Sequence, residues 1–217
     1  MKKVALILAG CGVYDGSEIY ESVLTMLSLE NHEASYQCFA PNIEQMHVIN
    51  HLDGSVAEGE SRNVLVEAAR LARGKIKNLA EAKPADFDAV IVPGGFGVAK
   101  NLSDFAVKGE DMSVQPEVLS FIQAMHAAAK PVGLICIAPT MAVRLFGEGV
   151  KCTIGNDPEV AGAINTMGGS HQDRAVDEVC VDEAMKLVTT PAYMLASSIG
   201  EAAKGINRCV REVLNMA

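Results

Sequence analysis

The sequence contains no tryptophan, and aromatic residues make up only 5% of its 217 positions. It has no stripe of lysines and arginines, and its formal net charge is −9. A nucleic-acid-binding surface depends on basic side chains and on aromatic rings that stack on bases, so nucleic acid is not an expected partner. No apolar run approaches the roughly 18 residues of a membrane-spanning helix, so the sequence also predicts no contact with a membrane.

The cysteines lack the spacing of a metal site or of a redox pair. None forms a CxxC motif, and no cysteine or histidine pair has the spacing of zinc ligands, so we predict no metal. An even number of cysteines is what a disulfide framework needs, but here they are scattered through a chain with ample apolar core. We therefore expect free thiols in a reducing compartment and a cytoplasmic protein. The six are Cys11, Cys38, Cys136, Cys152, Cys180 and Cys209.

What the chain does have is hydrophobic content, 49% of its residues, arranged as alternating strand-like and helix-like segments. The pattern predicts strands over 3–9, 34–39, 46–50, 88–92, 131–136 and 186–190, and helices over 17–30, 61–73, 115–129, 138–147 and 192–216. This alternation indicates one α/β domain over residues 1–217, with a doubly wound, mostly parallel sheet and helices on both faces. Ligands of such folds bind at the carboxyl ends of the strands, here the loops after residues 9, 92 and 135.

The N-terminal stretch MKKVALILAGC can be interpreted in two ways. Its basic start, apolar run and Cys11 resemble a bacterial lipoprotein signal. However, only six apolar residues, Val4 to Ala9, precede Gly10, which is short for a signal peptide, and an amphipathic helix follows instead of a loose tether. The pattern therefore favours a first strand.

The loop GCGVYDG follows this strand and precedes a helix, as a dinucleotide-binding fingerprint does. Its glycines stand at 10, 12 and 16, so the third is one position late for GxGxxG. The acidic residue expected at the end of the second strand is also absent, because that strand runs into Phe39, Ala40 and Pro41. We predict a tight turn rather than an NAD site, and no cofactor.

Cys136 stands at the end of an apolar strand, immediately before a helix, in the segment LICIAPT. A side chain at such a turn projects over the top of the sheet, and the amides of the following helix favour a thiolate. The alternative is a small, buried core cysteine. Cys11, in a loop near the same edge, is a weaker second candidate for the nucleophile.

Two further features could serve a cysteine nucleophile. Gly94 and Gly95 in PGGFG have no side chains to block their amides, which could hold an oxyanion; the alternative is a loop that needs positive φ. Glu21 on the first helix could move protons, or could simply be a solvated surface residue. Glu18 is a secondary candidate for the proton carrier, although its spacing from Asp15 predicts a capping box.

A histidine partner for the cysteine would be His171, in the glycine-rich segment GGSHQD. A lone histidine is more often structural than catalytic.

Together these residues resemble the PfpI-type, or class I glutamine amidotransferase-like, superfamily over essentially the whole chain. Its nucleophile turn A-I-C-x-G-P corresponds to LICIAP at 134–139, its PGG to 93–95, its E-x-V to 21–23 and its late L-V-T to 187–189. The segments GCGVYDGSEI, PGGFGVAKNL, ICIAP, GGSHQD and KLVTTPAYM are similar to the ElbB branch, whose members are called isoprenoid biosynthesis glyoxalases or sigma cross-reacting proteins.

The resemblance implies a flavodoxin-like fold, a homodimer and a cofactor-independent glyoxalase acting on a small dicarbonyl, an activity that can also register as deglycation. It implies that Cys136 attacks an aldehyde, that Glu21 shuttles protons, and that the amides of Gly95 and Ile137 hold the oxyanion, with His171 orienting. Ile137 replaces a histidine that many members carry, and no His-x-Glu occurs, which disfavours glutamine hydrolysis. The alternatives are a non-catalytic redox or stress sensor that uses an oxidisable Cys136, and an accessory protein of isoprenoid metabolism or amidotransferase-like subunit.

Overall fold

A computed structural model describes residues 1–217. Its main sheet has seven strands in the order β3-β2-β1-β4-β5-β9-β8, all parallel except β8 at one edge, and β6 and β7 form a separate parallel pair. The strands are β1 (Lys3–Ile7), β2 (Ser35–Ala40), β3 (Ile76–Asn78), β4 (Ala89–Val92), β5 (Val132–Ile135), β6 (Lys151–Cys152), β7 (Ser170–His171), β8 (Cys180–Asp182) and β9 (Leu187–Thr190).

Seven α-helices surround the sheet. They are α1 (Ile19–Asn31), α2 (Val64–Leu71), α3 (Phe105–Lys108), α4 (Pro116–Ala127), α5 (Ala142–Phe146), α6 (Pro158–Thr166) and α7 (Ile199–Met216). A π-helical turn spans Val98–Leu102, and short 3-10 turns include Ala138–Met141 after β5 and Ala192–Met194 after β9. None of the helices combines the length and the apolarity required to cross a bilayer.

The central strands are buried along their whole length, as expected for a parallel sheet covered on both faces. Every residue of β4 and β5 is buried, and β1 is buried from Val4 onward. The flavodoxin-like, doubly wound fold is therefore confirmed, with the N-terminal segment as one of its central strands. The strand order reverses between β1 and β4, so the loops that follow β1, β4 and β5 meet at the point where such folds bind ligands.

Several segments differ from the sequence prediction, among them residues 46–50 and helix α6. Residues 46–50 form no strand, only a single bridge between Ile49 and Val56. Helix α6 forms in a polar segment for which the pattern predicted no element. The signal was local and polar: Asp157 accepts hydrogen bonds from the amides of Glu159 and Val160, and Pro158 occupies the first helical position.

Helix α1 turns an apolar stripe outward. Ile19, Val23 and Leu27 are 42%, 47% and 50% exposed, although their helical spacing predicts a core-facing side. The buried side carries hydroxyls instead. Ser22 and Thr25 donate to the carbonyls one turn earlier at 2.7 Å each, which satisfies their polar atoms inside the protein. Met26, which shares the helical spacing of these residues, is buried, so periodicity alone could not show which apolar residues of the helix meet the core.

Candidate active site

The candidate site is a cavity of about 790 Å³ at the carboxyl ends of β1, β4 and β5. Cys136 lines it, although the residue is only 7% exposed. Twelve of the seventeen lining residues are hydrophobic. A thiol at the floor of a mostly apolar cavity is therefore open to a small molecule and otherwise shielded from water.

Cys136 lies in the turn that leaves β5. Its φ is +64°, in the left-handed region that non-glycine residues rarely adopt, and its amide donates to the carbonyl of Thr190 on β9 at 2.9 Å. Such a conformation costs of the order of 1–3 kcal/mol and persists where its surroundings enforce it. The turn projects the thiol over the end of the sheet, in the geometry of a nucleophile elbow.

Glu21 lies behind Cys136 and is completely buried. One carboxyl oxygen accepts from the Tyr193 amide at 3.0 Å and the other accepts from the Gly94 amide at 2.9 Å, and the Cys136 thiol lies beside the carboxyl, both of them close to Gly94. Burial raises the pKa of Glu21 to about 7, Glu18 adds to the rise, and the hydrogen bonds oppose it. Glu21 is therefore a proton acceptor poised near neutral pH.

Gly94 makes the approach of thiol and carboxyl possible. A Cβ at this position would lie 2.3 Å from the Cβ of Cys136, 2.6 Å from Oε2 of Glu21 and 2.9 Å from Sγ. Gly94 is thus required by close approach, and its φ is not in the positive range. Its amide is engaged by Glu21, so Gly94 is not free to serve as the oxyanion donor that the sequence suggested.

The pKa of the Cys136 thiol is raised well above its ordinary value, first by burial and then by the Glu21 carboxylate. The backbone amides of Gly95 and Ile137 lower the pKa of the thiol, but by less than burial and Glu21 raise it. This direction is opposite to the expected resting thiolate, because burial and the neighbouring Glu21 carboxylate outweigh the backbone amides. These two amides remain the candidate donors for an oxyanion.

Glu18 also lines the cavity, and its carboxylate has a structural role at the N-terminus of α1. It is the N-cap of α1, where its carboxylate accepts from the Glu21 amide at 2.6 Å. The predicted capping box led by Asp15 was wrong: Asp15 instead accepts from the Ile49 amide at 2.8 Å, in the neighbouring loop. Glu18 therefore fixes the start of the helix that carries Glu21.

His171 is not brought to Cys136. It lies in β7, where its Nε2 accepts from the Ile154 amide at 3.2 Å and its Nδ1 lies 3.5 Å from Asp173. Burial lowers the pKa of the ring, which agrees with a neutral acceptor. The geometry gives this histidine a structural role, and the sequence could not show it because the contacts come from a short strand pair that has no periodic signal.

Cys11 follows β1 in the neighbouring loop but does not line the cavity. Burial raises the pKa of its thiol, and so does the nearby Glu67. The structure therefore separates the weaker cysteine candidate from the cavity.

The sequence missed the contribution of Tyr193. Its amide holds Glu21, its ring lies 6.1 Å from that of Tyr20, and it lines the cavity. The turn that carries it follows β9, a parallel neighbour of β5. The rule that ligands gather at the carboxyl ends of parallel strands would have pointed to this fourth loop.

No three His, Cys, Asp or Glu side chains of the structure are arranged so that they could hold a metal ion.

A flavodoxin-like sheet with a strained cysteine after a central strand, and a buried glutamate beside it, defines a class of α/β proteins with a cysteine elbow. The chain belongs within that class to the DJ-1/PfpI family, whose profile matches residues 3–196.

Full-length similarity extends to named proteins. The chain is 47% identical over 223 residues to a human glutamine amidotransferase-like class 1 domain-containing protein 3, covering 99% of this chain and 83% of that protein. A solved isoprenoid biosynthesis protein with an amidotransferase-like domain from Ehrlichia chaffeensis is 38% identical, with a TM-score of 0.93 over 100% of this chain and 99% of that one. Glyoxalase III from Candida albicans, 12% identical with a TM-score of 0.65 over 99% and 97%, shares the fold.

The expected cytoplasmic location is contradicted by these relatives. The human protein is named mitochondrial, as are relatives from rat and zebrafish that are 46% and 32% identical over 99% and 98% of this chain. All six cysteines are free in the structure. Free thiols indicate only that a compartment is reducing, so they could not distinguish the cytoplasm from other reducing compartments.

Proposed function

We propose that the protein is a cofactor-independent glyoxalase that converts glyoxal to glycolate without glutathione. The observation that carries this proposal is the close pairing of Cys136 and Glu21 at the floor of the cavity, with the pKa of Glu21 raised to about 7. Membership of the DJ-1/PfpI family, and the fold shared with a glyoxalase III, are consistent with it.

The first step forms a carbon–sulfur bond. Sγ of Cys136 attacks one aldehyde carbon, and the thiol proton passes to Glu21 as the bond forms. The oxygen of the aldehyde becomes an oxyanion, which the amides of Gly95 and Ile137 stabilise until Glu21 gives it the thiol proton and is again a carboxylate. The product is a hemithioacetal, and no external reactant is consumed.

The second step moves a proton between carbons. Glu21 removes the C–H proton of the hemithioacetal carbon, an enediol forms, and a proton returns to the neighbouring carbon. One carbon is thereby oxidised to a thioester while the other is reduced to an alcohol, so no outside oxidant is needed. Water then cleaves the thioester, which releases glycolate and restores the thiol. Attack on glycated thiols or amines by the same pair would register as deglycation.

The test is glycolate formation from glyoxal by the purified protein without glutathione. Cys136→Ser and Glu21→Gln are each expected to lose most of the turnover, with the loss at Glu21 of the order of 100-fold to 10,000-fold, as for a general base. Glu18→Gln, a change at a neighbouring buried carboxyl, is the comparison. If Glu21→Gln keeps full turnover and Glu18→Gln loses it, Glu18 is the proton carrier. An inactive wild type whose Cys136 still alkylates overturns the proposal.

A redox sensor is less well supported, because peroxide reacts with the thiolate and burial raises the pKa of the Cys136 thiol. We further propose that the chain is a single domain of the ElbB branch, on the strength of its 38% identity to the Ehrlichia protein. A role beside isoprenoid metabolism would come to this chain from that protein's name alone.

A further inference from the structure

We infer that the protein has a second binding site, a groove along α4 that takes a small aliphatic amine with its ammonium group at Glu117. The groove shares no lining residue with the cavity at Cys136. The inference therefore does not depend on the proposed reaction.

The shape of the groove suits a small ligand. It measures about 510 Å³, which lies within the range of small-molecule sites. One wall is a stripe of α4 that contains Glu117, Ser120, Phe121 and Ala124, whose spacing puts them on a single helical face, and the other wall comes from the segment 79–84. The stripe advances about 10 Å along the helix, because each residue adds about 1.5 Å, so the groove has room for a short chain beside the carboxyl.

Glu117 is the only charged residue of the lining, and the protein leaves its charge without a partner. Its Oε2 is buried and accepts no hydrogen bond, and only one other side-chain atom of the structure is in that position. None of the ion pairs of the protein includes Glu117. A carboxylate that is partly removed from water and has no cation beside it is costly, so binding of a cation in the groove is favourable.

The buried oxygen favours an ammonium group over a guanidinium group. A guanidinium binds a carboxylate best through both oxygens at once, whereas an ammonium is a compact charge that needs only one. Because Oε2 of Glu117 is buried, one oxygen is left to a ligand. The remainder of the lining consists of five hydrophobic residues, two prolines and Ser120, which suits an alkyl chain attached to the ammonium.

An anionic ligand finds no positive charge in the groove. Two of the lining residues, Pro84 and Pro116, have no backbone N–H to donate. Lys130 is not part of the lining, and its Nζ donates to the carbonyls of Pro84 and Phe87 at 2.7 Å and 2.5 Å. The Glu117 carboxylate would also repel an anion, so the groove selects for positive charge.

The experiment titrates the purified protein with hexylamine at neutral pH, where the amine is an ammonium ion. Calorimetry measures Kd, and backbone NMR shifts locate the bound amine. We expect saturable binding that shifts the amides of residues 79–84 and 117–124. Hexanoate and hexan-1-ol keep the chain without the positive charge, and they should bind at least about tenfold more weakly, since each lacks the charge-assisted hydrogen bond to Glu117.

Four variants separate the carboxyl from the groove. Glu117→Gln keeps the shape of the side chain and removes its charge, so Kd for hexylamine should rise about tenfold. Glu81→Gln, at an exposed carboxyl outside the lining, should change Kd less than about twofold because solvent and salt screen that charge. Ala124→Trp, at an exposed position of α4 within the lining, should abolish binding. Gln123→Trp, at the exposed neighbouring position outside the lining, should preserve it.

Three results would overturn the inference. They are the absence of saturable hexylamine binding at millimolar concentration, binding that Glu117→Gln leaves unchanged, and NMR shifts confined to the cavity at Cys136. Equal affinity for hexan-1-ol and hexylamine would likewise refute the role of the charge. Turnover of glyoxal is not measured in this experiment, so none of these results bears on the proposed function.

Discussion

Replacement of Glu21 by glutamine isolates the energetic cost of its buried carboxyl. The side chain is fully buried, and both of its oxygens accept backbone hydrogen bonds, from Gly94 and Tyr193. Glutamine has nearly the same shape but cannot ionise. Its NH₂ group would face one of the two backbone donors, which leaves that donor unpaired at a cost of about 1–3 kcal/mol at every pH.

The pH dependence follows from the raised pKa. The carboxyl titrates near 4.5 in the unfolded chain and at about 7 in the folded protein, so the folded state binds the proton more tightly. The stabilisation of the folded state by this tighter proton binding is fully present below pH 4.5 and is lost as the pH rises through 7. It amounts to about 3 kcal/mol in total, of which about 2 kcal/mol is lost between about pH 5.5 and about pH 8.5. The glutamine variant lacks this loss.

The assay is urea unfolding of the wild type and Glu21→Gln across that pH range. The wild type should exceed the variant in free energy of unfolding by about 2 kcal/mol more at the acidic end than at the alkaline end. Glu58→Gln, at an exposed carboxyl, should show a constant difference from the wild type. If the difference for Glu21→Gln is also constant, the carboxyl is not perturbed and its role as a proton acceptor near neutral pH fails. In the wild type, kcat/KM should rise with pH through about 7.

Three further outcomes are expected. Gly94→Ala should abolish turnover and lower the free energy of unfolding by about 1–3 kcal/mol, because the new Cβ would lie 2.3 Å from the Cβ of Cys136. Gly162→Ala, whose Cβ would meet nothing within 4 Å, should leave both turnover and the free energy of unfolding unchanged in the same assays. His171→Ala should lower the free energy of unfolding by about 1–2 kcal/mol and leave kcat/KM unchanged, and a loss of kcat/KM beyond about tenfold would return this histidine to catalysis. We expect a homodimer that buries the exposed side of α1, so Val23→Glu with Leu27→Glu should give monomers in light scattering; a monomeric wild type contradicts this.

The fold was predictable because its signals are strong and local. Buried parallel strands such as β4 and β5 are continuous apolar runs, and each is followed by a helical pattern. The weaker elements were missed for a physical reason: β3 and β7 are three and two residues long and owe their existence to their neighbours in the sheet. Helix α6 was missed because its signal is the polar cap at Asp157 and not an apolar periodicity.

The site was predictable in part. Cys136 could be singled out by its position after a central strand, whereas Glu21 depended on the resemblance to the PfpI-type superfamily, because its place on the first helix alone also allowed a solvated surface residue. What the sequence could not show is which donors each group uses. Gly94 turns its amide to Glu21 rather than to an oxyanion, and the holding amide of Tyr193 lies 172 positions away along the chain. Long-range contacts of this kind depend on the assembled sheet and leave no local pattern.

The raised pKa values of both groups have one consequence for how the pair works. Cys136 keeps its proton at rest because a buried thiolate beside a buried carboxylate would place two charges where water cannot solvate either. Deprotonation of the thiol is then favourable only when a carbonyl carbon is at hand to take the sulfur electrons, with the Gly95 and Ile137 amides receiving the negative charge on oxygen. We therefore expect the pair to react slowly with peroxide, which needs a standing thiolate, and readily with an electrophilic carbonyl in the cavity. This expectation favours the proposed turnover over redox sensing.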